Sequence, residues 1–369
     1  MSPSHSMYKL EKRNVAILVI SQIMFMVAAI TVMTLSGVVG QQLSPAPSLA
    51  TLPIAVMMLG TVISTLPASL FMKNVGRRRG FIVGAALGGV GGGLLSFTGI
   101  ATQSFAVFCF GSLLLGLYQG FAMYYRFAAL DVASPSFRSR AISFVLAGGV
   151  AAAFLGPWNA NAMGELVSAV PSGGPYLIIA ALALIAIALL SQLRVPYVGE
   201  PHEGESTRPM GIIVRNPAFV VALATGSIGY AIMILVMTAT PLAMRANDFE
   251  MSQVAFIMQW HVLGMYAPSF FTGSLIARFG LVRILMVGCL MLVGTALTTL
   301  MGSTLTYFWV ALVLLGIGWN FLFIGGSTLL ATLHTEVERG KVQGINDLVI
   351  FAMVTMASLM SGTLLHYLG

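Results

Sequence analysis

The sequence predicts an all-α polytopic membrane protein made of two six-helix bundles related by a pseudo-twofold, with eleven of the twelve spans present in this chain. Three observations predict it. Of 369 residues, 58% are hydrophobic and 8% charged, at a mean hydropathy of +0.94, whereas soluble domains carry about a quarter charged residues. The apolar residues form eleven runs, each near the length of about 20 residues that a bilayer core requires. Finally, the runs of the second half repeat those of the first at an offset of about 200 residues. The 40 glycines follow no G-X-Y period, which excludes collagen, and the apolar excess excludes a disordered chain.

In chain order the runs are 15–39, 47–72, 80–101, 104–131, 140–164, 174–193, 217–244, 251–277, 281–301, 304–332 and 343–367. The first follows the basic start MSPSHSMYKLEKRNV. It is too long for the apolar region of a signal peptide and has no small-residue cleavage site close behind it, so it reads as a retained first span. The third carries Gly84, Gly88 and Gly92, with Gly89 and Gly93, at a four-residue repeat that permits close helix packing. The two cysteines, Cys109 and Cys289, lie inside apolar runs and imply neither a disulfide framework nor a metal site.

Basic residues alternate with the spans. The connections QQLSPAPS, ATQS and GSTLT carry none. Lys9, Lys12 and Arg13 precede the first span; Lys73, Arg77, Arg78 and Arg79 follow the second; Arg138 and Arg140 follow the fourth. Arg194, Arg208, Arg215, Arg278, Arg283, Arg339 and Lys341 continue the pattern, and only Arg126 and Arg245 of the 18 fall outside it. The positive-inside rule places the N-terminus and these loops in the cytoplasm, and the short loops without an Asn-x-Ser/Thr sequon fit a bacterial inner membrane. The net charge of +7 therefore reports topology, and no nucleic-acid partner is expected.

The repeat is visible residue by residue. Ile30-Thr31-Val32-Met33-Thr34 answers Ile234-Leu235-Val236-Met237-Thr238, Tyr118-Gln119 answers Trp319-Asn320, and Arg138-Ser139-Arg140 answers Arg339-Gly340-Lys341. The expected organisation is an N-terminal bundle over 1–193, a charged Gly- and Pro-rich linker over 194–216, and a C-terminal bundle over 217–369. Parallel repeats of this kind predict a solute site where the two halves meet. The second half holds five spans and ends at Gly369. Either a twelfth helix has been lost from this chain or the protein ends with its C-terminus outside, and the repeat favours loss.

Two six-helix halves, a central linker and Gly76-Arg77-Arg78-Arg79 after the second span together resemble the major facilitator superfamily over the whole chain. The family's loop motif, G-x-x-x-D-R-x-G-R-R, is met by Gly76, Arg77 and Arg78, with Ser69 at the first glycine and Lys73 at the acid. The second-half copy keeps Gly273, Arg278 and Gly280, with Ala277 at the acidic position. In the family that acid helps latch the halves, so the substitution puts that latch in doubt here. Gln119-Gly120 is similar to the end of the R-x-x-Q-G motif, with Gly116 at its arginine. Gly156-Pro157 is similar to the antiporter motif, with Ser143 and Ala152 at its earlier glycines. The stretch GLYQGFAMYYRFAALDVASPSFRSRAISFVLAGG resembles a bacterial branch of the family that includes riboflavin transporters.

Polar residues within the spans are the candidate site. Ser112, Gln119 and Arg126 are spaced by seven, about 20° of drift per step, and share one face of a continuous helix. Asn320 and Ser327 form the matching stripe in the tenth span. These residues either orient a substrate in a central cavity or hydrogen-bond between helices, at about 0.6 kcal/mol per contact. Arg126 costs about 2.5–3.5 kcal/mol at the bilayer centre. It offers a planar fork of donors to an anionic or carbonyl-rich solute, or it snorkels to the surface or pairs with Asp131. Asp131, Arg138, Lys73, Arg77, Arg78 and Arg278 lie at cytoplasmic helix ends, where ion pairs gate transport or serve as solvated pairs worth under about 1 kcal/mol. His261 and Asp347 are the groups available for proton coupling, with Glu165 at an outer helix end. A lone membrane histidine also serves as a hydrogen-bonded structural residue. The scarcity of membrane carboxylates favours a facilitator or a solute-driven exchanger.

Tyr118, Tyr124, Tyr125, Trp158, Tyr230, Trp260 and Trp319 lie within spans. Trp319 beside Asn320 and Tyr118 beside Gln119 are too near mid-span for interfacial anchoring. Walls of this kind suit a flat, hydrogen-bonding ring system. No G-x-x-x-x-G-K-[ST], H-E-x-x-H or G-x-S-x-G occurs on a span, so neither an ATPase nor another enzyme is expected, and no cofactor. The reading is a monomeric secondary active or facilitated transporter of a small organic solute by alternating access, with riboflavin or another planar compound as the solute. A drug or metabolite–proton antiporter and a non-transporting membrane receptor or scaffold are the alternatives.

Overall fold

The computed structural model describes residues 3–134, 137–195, 208–334 and 338–368. Side chains are described from Leu10 onward except at 138–140, 142–143, 339–341, 343 and 368. The expected linker therefore lies partly outside the described residues, as do the side chains of Arg138, Arg140 and Ser143. Every described element is helical. The chain divides into two compact units, Met1–Val198 and Gly199–Gly369.

The first unit holds α1 (Pro3–Leu43), α2 (Leu52–Val75), α3 (Arg77–Ala101), α4 (Phe105–Val132), α5 (Arg138–Ala162) and α6 (Gly174–Leu190). Ser104 starts α4 by accepting a hydrogen bond from the Val107 N–H, which satisfies one of the donors a helix start leaves open. Within this unit α1 packs on α5 and α6, α2 on α4, and α3 on α4 and α6. The α3–α4 contact explains the helix-3 glycines. A Cβ at Gly88 would overlap the Tyr118 backbone, so only glycine allows this approach. The α3 segment Gly84–Val90 within this contact is π-helical.

The second unit opens with a one-turn helix, Met210–Val214, followed by α7 (Pro217–Ala246). Next comes α8, which runs over Met251–Tyr266 and resumes over Ser269–Phe279 after Ala267-Pro268. Then come α9 (Leu281–Leu300), α10 (Leu305–Ala331) and α11 (Arg339–Leu368). The pairings of the first unit recur: α7 packs on α11, and α10 on α8 and α9. The tight turns recur too. Gly76 joins α2 to α3 at φ 87°, ψ 155°, and Gly280 joins α8 to α9 at φ 87°, ψ 148°. This region of backbone space is open essentially to glycine alone, which is why the loop motif keeps its glycine in both copies.

Among the described residues, eight helices are long and apolar enough to cross a bilayer: α1 to α4, α7, and α9 to α11. Of the other three expected spans, α6 is apolar but 17 residues long. The Pro268 break splits α8 into pieces of 16 and 11 residues, and α5 has undescribed side chains in its first turns. Along α9, Val282, Met286, Leu290, Val293, Leu297 and Leu300 are all exposed. These positions form one apolar stripe at helical spacing, suited to hydrocarbon and not to water.

Candidate functional site

In the first unit the predicted residues cluster on α4, but the helix is not continuous. It is interrupted at Met123-Tyr124, between Phe105–Ala122 and Tyr125–Val132. Ser112 and Gln119 share the first piece, so their common face stands. Arg126 belongs to the second, and the seven-residue arithmetic does not carry across the turn. Ser112 is fully buried and donates to the Phe108 carbonyl of its own helix at 3.0 Å. Tyr118 is buried edge-to-face against Phe25, with ring centroids 5.4 Å apart. Gln119 faces a void of about 10 Å³ lined also by Phe25, Ala28, Ala29, Val32, Met57, Leu115 and Tyr118. Its Oε1 is buried with no hydrogen-bond partner among the described residues. Arg126 is half-buried, with its guanidinium 4.8 Å from the Phe127 ring.

In the second unit an aromatic cluster surrounds Trp319. The indole stacks on Phe323 at 4.9 Å and 12°, and meets Tyr230 at 5.3 Å and Tyr266 at 6.2 Å, both edge-on. Tyr230 also contacts Phe323 and Phe351. Four helices, α7, α8, α10 and α11, thus contribute rings. The Trp319 Nε1–H is buried without a partner among the described residues. The sequence singled out Tyr230 and Trp319 but missed Tyr266, Phe323 and Phe351. Tyr266 stands just before the Pro268 break, and Phe323 lies one turn beyond Trp319, so both carried a readable positional signal.

Asn320 makes interhelical hydrogen bonds, one of the two readings its sequence position allowed. It is 1% exposed, and its Nδ2 donates to the Met265 carbonyl and to Ser269 Oγ, each at 2.7 Å. Its Oδ1 accepts from Thr272 Oγ1, also at 2.7 Å. All three partners flank the α8 interruption, where Pro268 supplies no N–H to the helix ladder. The amide bridges the broken helix. His261 is fully buried, with Nδ1 2.8 Å from the Leu312 carbonyl on α10. A carbonyl only accepts, so Nδ1 carries the proton in this contact. Ser327 and Trp158 are exposed, and half-buried Asp347 accepts from the Asn346 amide at 3.2 Å.

The helix-end charges resolve into one pair with the loop motif. Arg77 Nε lies 3.2 Å from Asp131 Oδ2, and the two side chains are 28% and 25% exposed. Tyr124 sits beside the pair, its ring 5.6 Å from the Arg77 guanidinium. Arg77 is thus a partner of Asp131 that the sequence did not suggest, and the side chain of Arg138, one of the partners weighed, lies outside the described residues. Lys73, Arg78 and Arg278 are exposed, with Arg278 over Phe279 at 5.4 Å.

Two further features escaped the sequence reading. Asn159 on α5 is buried and donates to Thr31 Oγ1 at 3.1 Å and to the Pro175 carbonyl at 3.3 Å, which ties α1, α5 and α6 together. A cleft of about 620 Å³ opens between α1 and α5, lined by Val19, Ile20, Phe137, Phe144 and Gly148 with Lys12 as its charged residue. It contains none of the predicted site residues, and it lacks the convergent polar groups that orient a small ligand. No group of three metal-ligating side chains occurs among the described residues.

The model of the Major Facilitator Superfamily matches residues 17–358. The riboflavin transporter RfnT of Brucella anthropi is 42% identical over 364 residues, covering 97% of this chain and 90% of the relative. The uncharacterized MFS-type transporter YdeG of Bacillus subtilis is 28% identical over 369 residues, at 96% and 86% coverage. Among solved structures, the fold is shared with a bacterial homolog of the human lysosomal transporter Spinster, at TM-score 0.69, 12% identity, and 96% and 82% coverage. It is also shared with the human organic anion transporter MFSD10, at TM-score 0.66, 15% identity, and 96% and 93% coverage. With its helix pairings and glycine turns repeated in both units and a family match spanning nearly its whole length, this chain belongs to the Major Facilitator Superfamily: it is a multi-pass membrane transporter of small molecules and not an enzyme.

Proposed function

We propose that this transporter carries riboflavin, or a closely similar planar heterocycle, by alternating access of its two six-helix-type halves, 1–193 and 217–369, about the linker 194–216. The observation that carries the reading is the Trp319 cluster. A stacked indole with further rings edge-on and an unused N–H suits an aromatic solute that also accepts hydrogen bonds. The 42% identity to a protein named as a riboflavin transporter supports the same solute. On the first half, the unpartnered Gln119 Oε1 supplies an acceptor for a ring N–H. Tyr230 and Tyr266 wall the site, and Arg126 stands one break further along α4 as a donor fork toward carbonyl or hydroxyl oxygens.

All eleven helices cross the inner membrane in this reading. The N-terminus and the basic loops are cytoplasmic, as the positive-inside rule requires. The Arg77–Asp131 pair serves as a cytoplasmic gate element by holding the ends of α3 and α4 together within the first half. His261, bound to the Leu312 carbonyl, serves helix packing, so proton coupling falls to Asp347 if flux responds to the gradient. The carrier works as a monomer.

The test is uptake of labelled riboflavin by a riboflavin-requiring bacterium expressing the chain, with membrane insertion verified. Saturable uptake whose KM Trp319→Ala raises is the expected result. Normal insertion with uptake no higher than in cells lacking the chain refutes the solute. Collapsing the proton gradient separates facilitated from coupled flux: unchanged uptake assigns facilitation, and lost accumulation assigns coupling.

A further inference from the structure

Both units tie the loop between their fourth and fifth helices to the segment that begins their first helix. In the first unit that loop joins α4 to α5. The Glu11 carboxylate, near the start of α1, accepts from the Ser134 backbone N–H at 2.6 Å and from the Ser134 hydroxyl at 2.7 Å. In the second unit the equivalent loop joins α10 to α11. Arg208, just before the one-turn helix that leads into α7, donates to Glu338 Oε1 from its backbone N–H at 3.0 Å and from Nε at 2.7 Å. Its Nη2 donates to Glu338 Oε2 at 2.6 Å and to the Leu333 carbonyl at 2.9 Å. The ties join corresponding parts of the two units, although the residues that make them are not at matching positions of the repeat, in which Ile30 answers Ile234 and Arg138 answers Arg339. The polarity is reversed: the first helix accepts in one unit, and the segment before it donates in the other.

The two ties differ in how accessible they are to water. Glu338 is 2% exposed, and a buried carboxylate needs its partners. Arg208 is 48% exposed and reaches in from outside. Apolar contacts reinforce the second tie, since Ile213 of the one-turn helix packs with Phe219, Leu330 and Val342 from α7, α10 and α11. In the first unit Ser134 is exposed and Glu11 half-buried, so water competes for that tie. The α4 end is held a second time by Arg77 on Asp131.

We propose that Glu11 and Arg208 are positioning residues for transport. Each holds its fourth–fifth helix loop to the entry of its own bundle, so that each half reorients as one body, and the ties set the reorientation rate without contributing to solute affinity. The proposal rests on the alternating-access reading above. The Arg208 tie dominates, because it places three hydrogen bonds on a buried carboxylate, while the Glu11 tie is made at an exposed serine.

Two measurements on the full chain in lipid nanodiscs and cells test it. The first is hydrogen exchange of the amides over 338–345 and 134–141, which needs no solute. Arg208→Ala should raise exchange over 338–345 at least tenfold, and the exchanged pair Arg208→Glu with Glu338→Arg should restore protection. Arg208→Lys, which keeps the charge but loses the fork, should fall between and covers the case in which Arg208→Ala fails to fold. The second is riboflavin flux. Maximal velocity should drop about tenfold in Arg208→Ala and about twofold in Glu11→Gln, with KM held within twofold and velocity recovered in the exchanged pair. Unchanged exchange over 338–345 overturns the proposal, as does a raised KM at full velocity. If the unaltered protein moves no riboflavin, the solute assignment falls, and the exchange measurement still decides the tie.

Discussion

Replacing Asn320 with alanine separates a structural clip from a solute ligand. The side chain is 1% exposed and spends both amide donors and its oxygen on Met265, Ser269 and Thr272 around the α8 interruption. Truncation deprives the Met265 carbonyl of this donor. A buried acceptor left without its donor costs about 1–3 kcal/mol, and the space vacated by the amide adds a cavity cost, giving about 2–4 kcal/mol in all. The single Thr272 hydroxyl proton is then free to go to the Pro268 carbonyl 2.8 Å away, and Ser269 is partly exposed, so neither adds much. The measurement is the thermal midpoint of the detergent-solubilised protein, followed by loss of the monodisperse peak, beside riboflavin KM per folded molecule in cells. The midpoint should fall by several degrees while KM stays within about threefold. Asn320→Asp keeps the acceptor but presents a carboxylate to the Met265 carbonyl and should melt lower still. An unchanged midpoint with flux reduced tenfold or more would refute the structural argument and return Asn320 to the solute site.

Trp319→Ala should act in the opposite sense. Stacking of a heterocycle on an aromatic side chain contributes about 1–3 kcal/mol, so KM should rise roughly 5- to 150-fold, and Trp319→Phe should recover part of it; equal KM in all three proteins removes the cluster from the site. Gly76→Ala and Gly280→Ala meet no neighbour within 4 Å, so each should lose only the torsional cost of about 1–3 kcal/mol, read as a lower melting midpoint with insertion retained. Asp131→Asn breaks a partly exposed pair worth about 0–1 kcal/mol; its midpoint should barely move while riboflavin flux changes, and an unchanged flux would remove the gate role.

Hydrophobic runs, the alternation of basic loops and the internal repeat made the membrane architecture legible, because bilayer thickness and topology act on composition alone. Helix continuity was less legible. The seven-residue stripe on α4 presumes an unbroken helix, yet the turn at Met123-Tyr124 contains neither proline nor glycine, and nothing in its residue types announces it. The α8 interruption did carry a signal, Pro268, but its consequence for Asn320 depends on two helices meeting 51 residues apart. The aromatic cluster was half legible for the same reason. Trp319 and Tyr230 stand out one at a time, whereas Phe351 and Phe323 look like ordinary lipid or core residues until four helices converge. The Arg77–Asp131 pairing needed the α3–α4 contact, which spacing along either helix does not encode.

The repeat also misleads where it is read as a symmetry of function. Gln119 and Asn320 align in sequence, and both are amides on the fourth helix of their unit, yet their chemistry diverges. Gln119 ends against apolar walls beside a void with its oxygen unused. Asn320 has both donors committed, because the second unit has a broken helix to bridge and the first has none at that place. Their neighbours diverge in turn: Tyr118 packs against α1 and α3, whereas Trp319 lies in a cluster of rings from four helices. A duplicated bundle thus keeps its backbone constraints in both copies, down to the glycine turns at 76 and 280, while its polar positions are free to specialise.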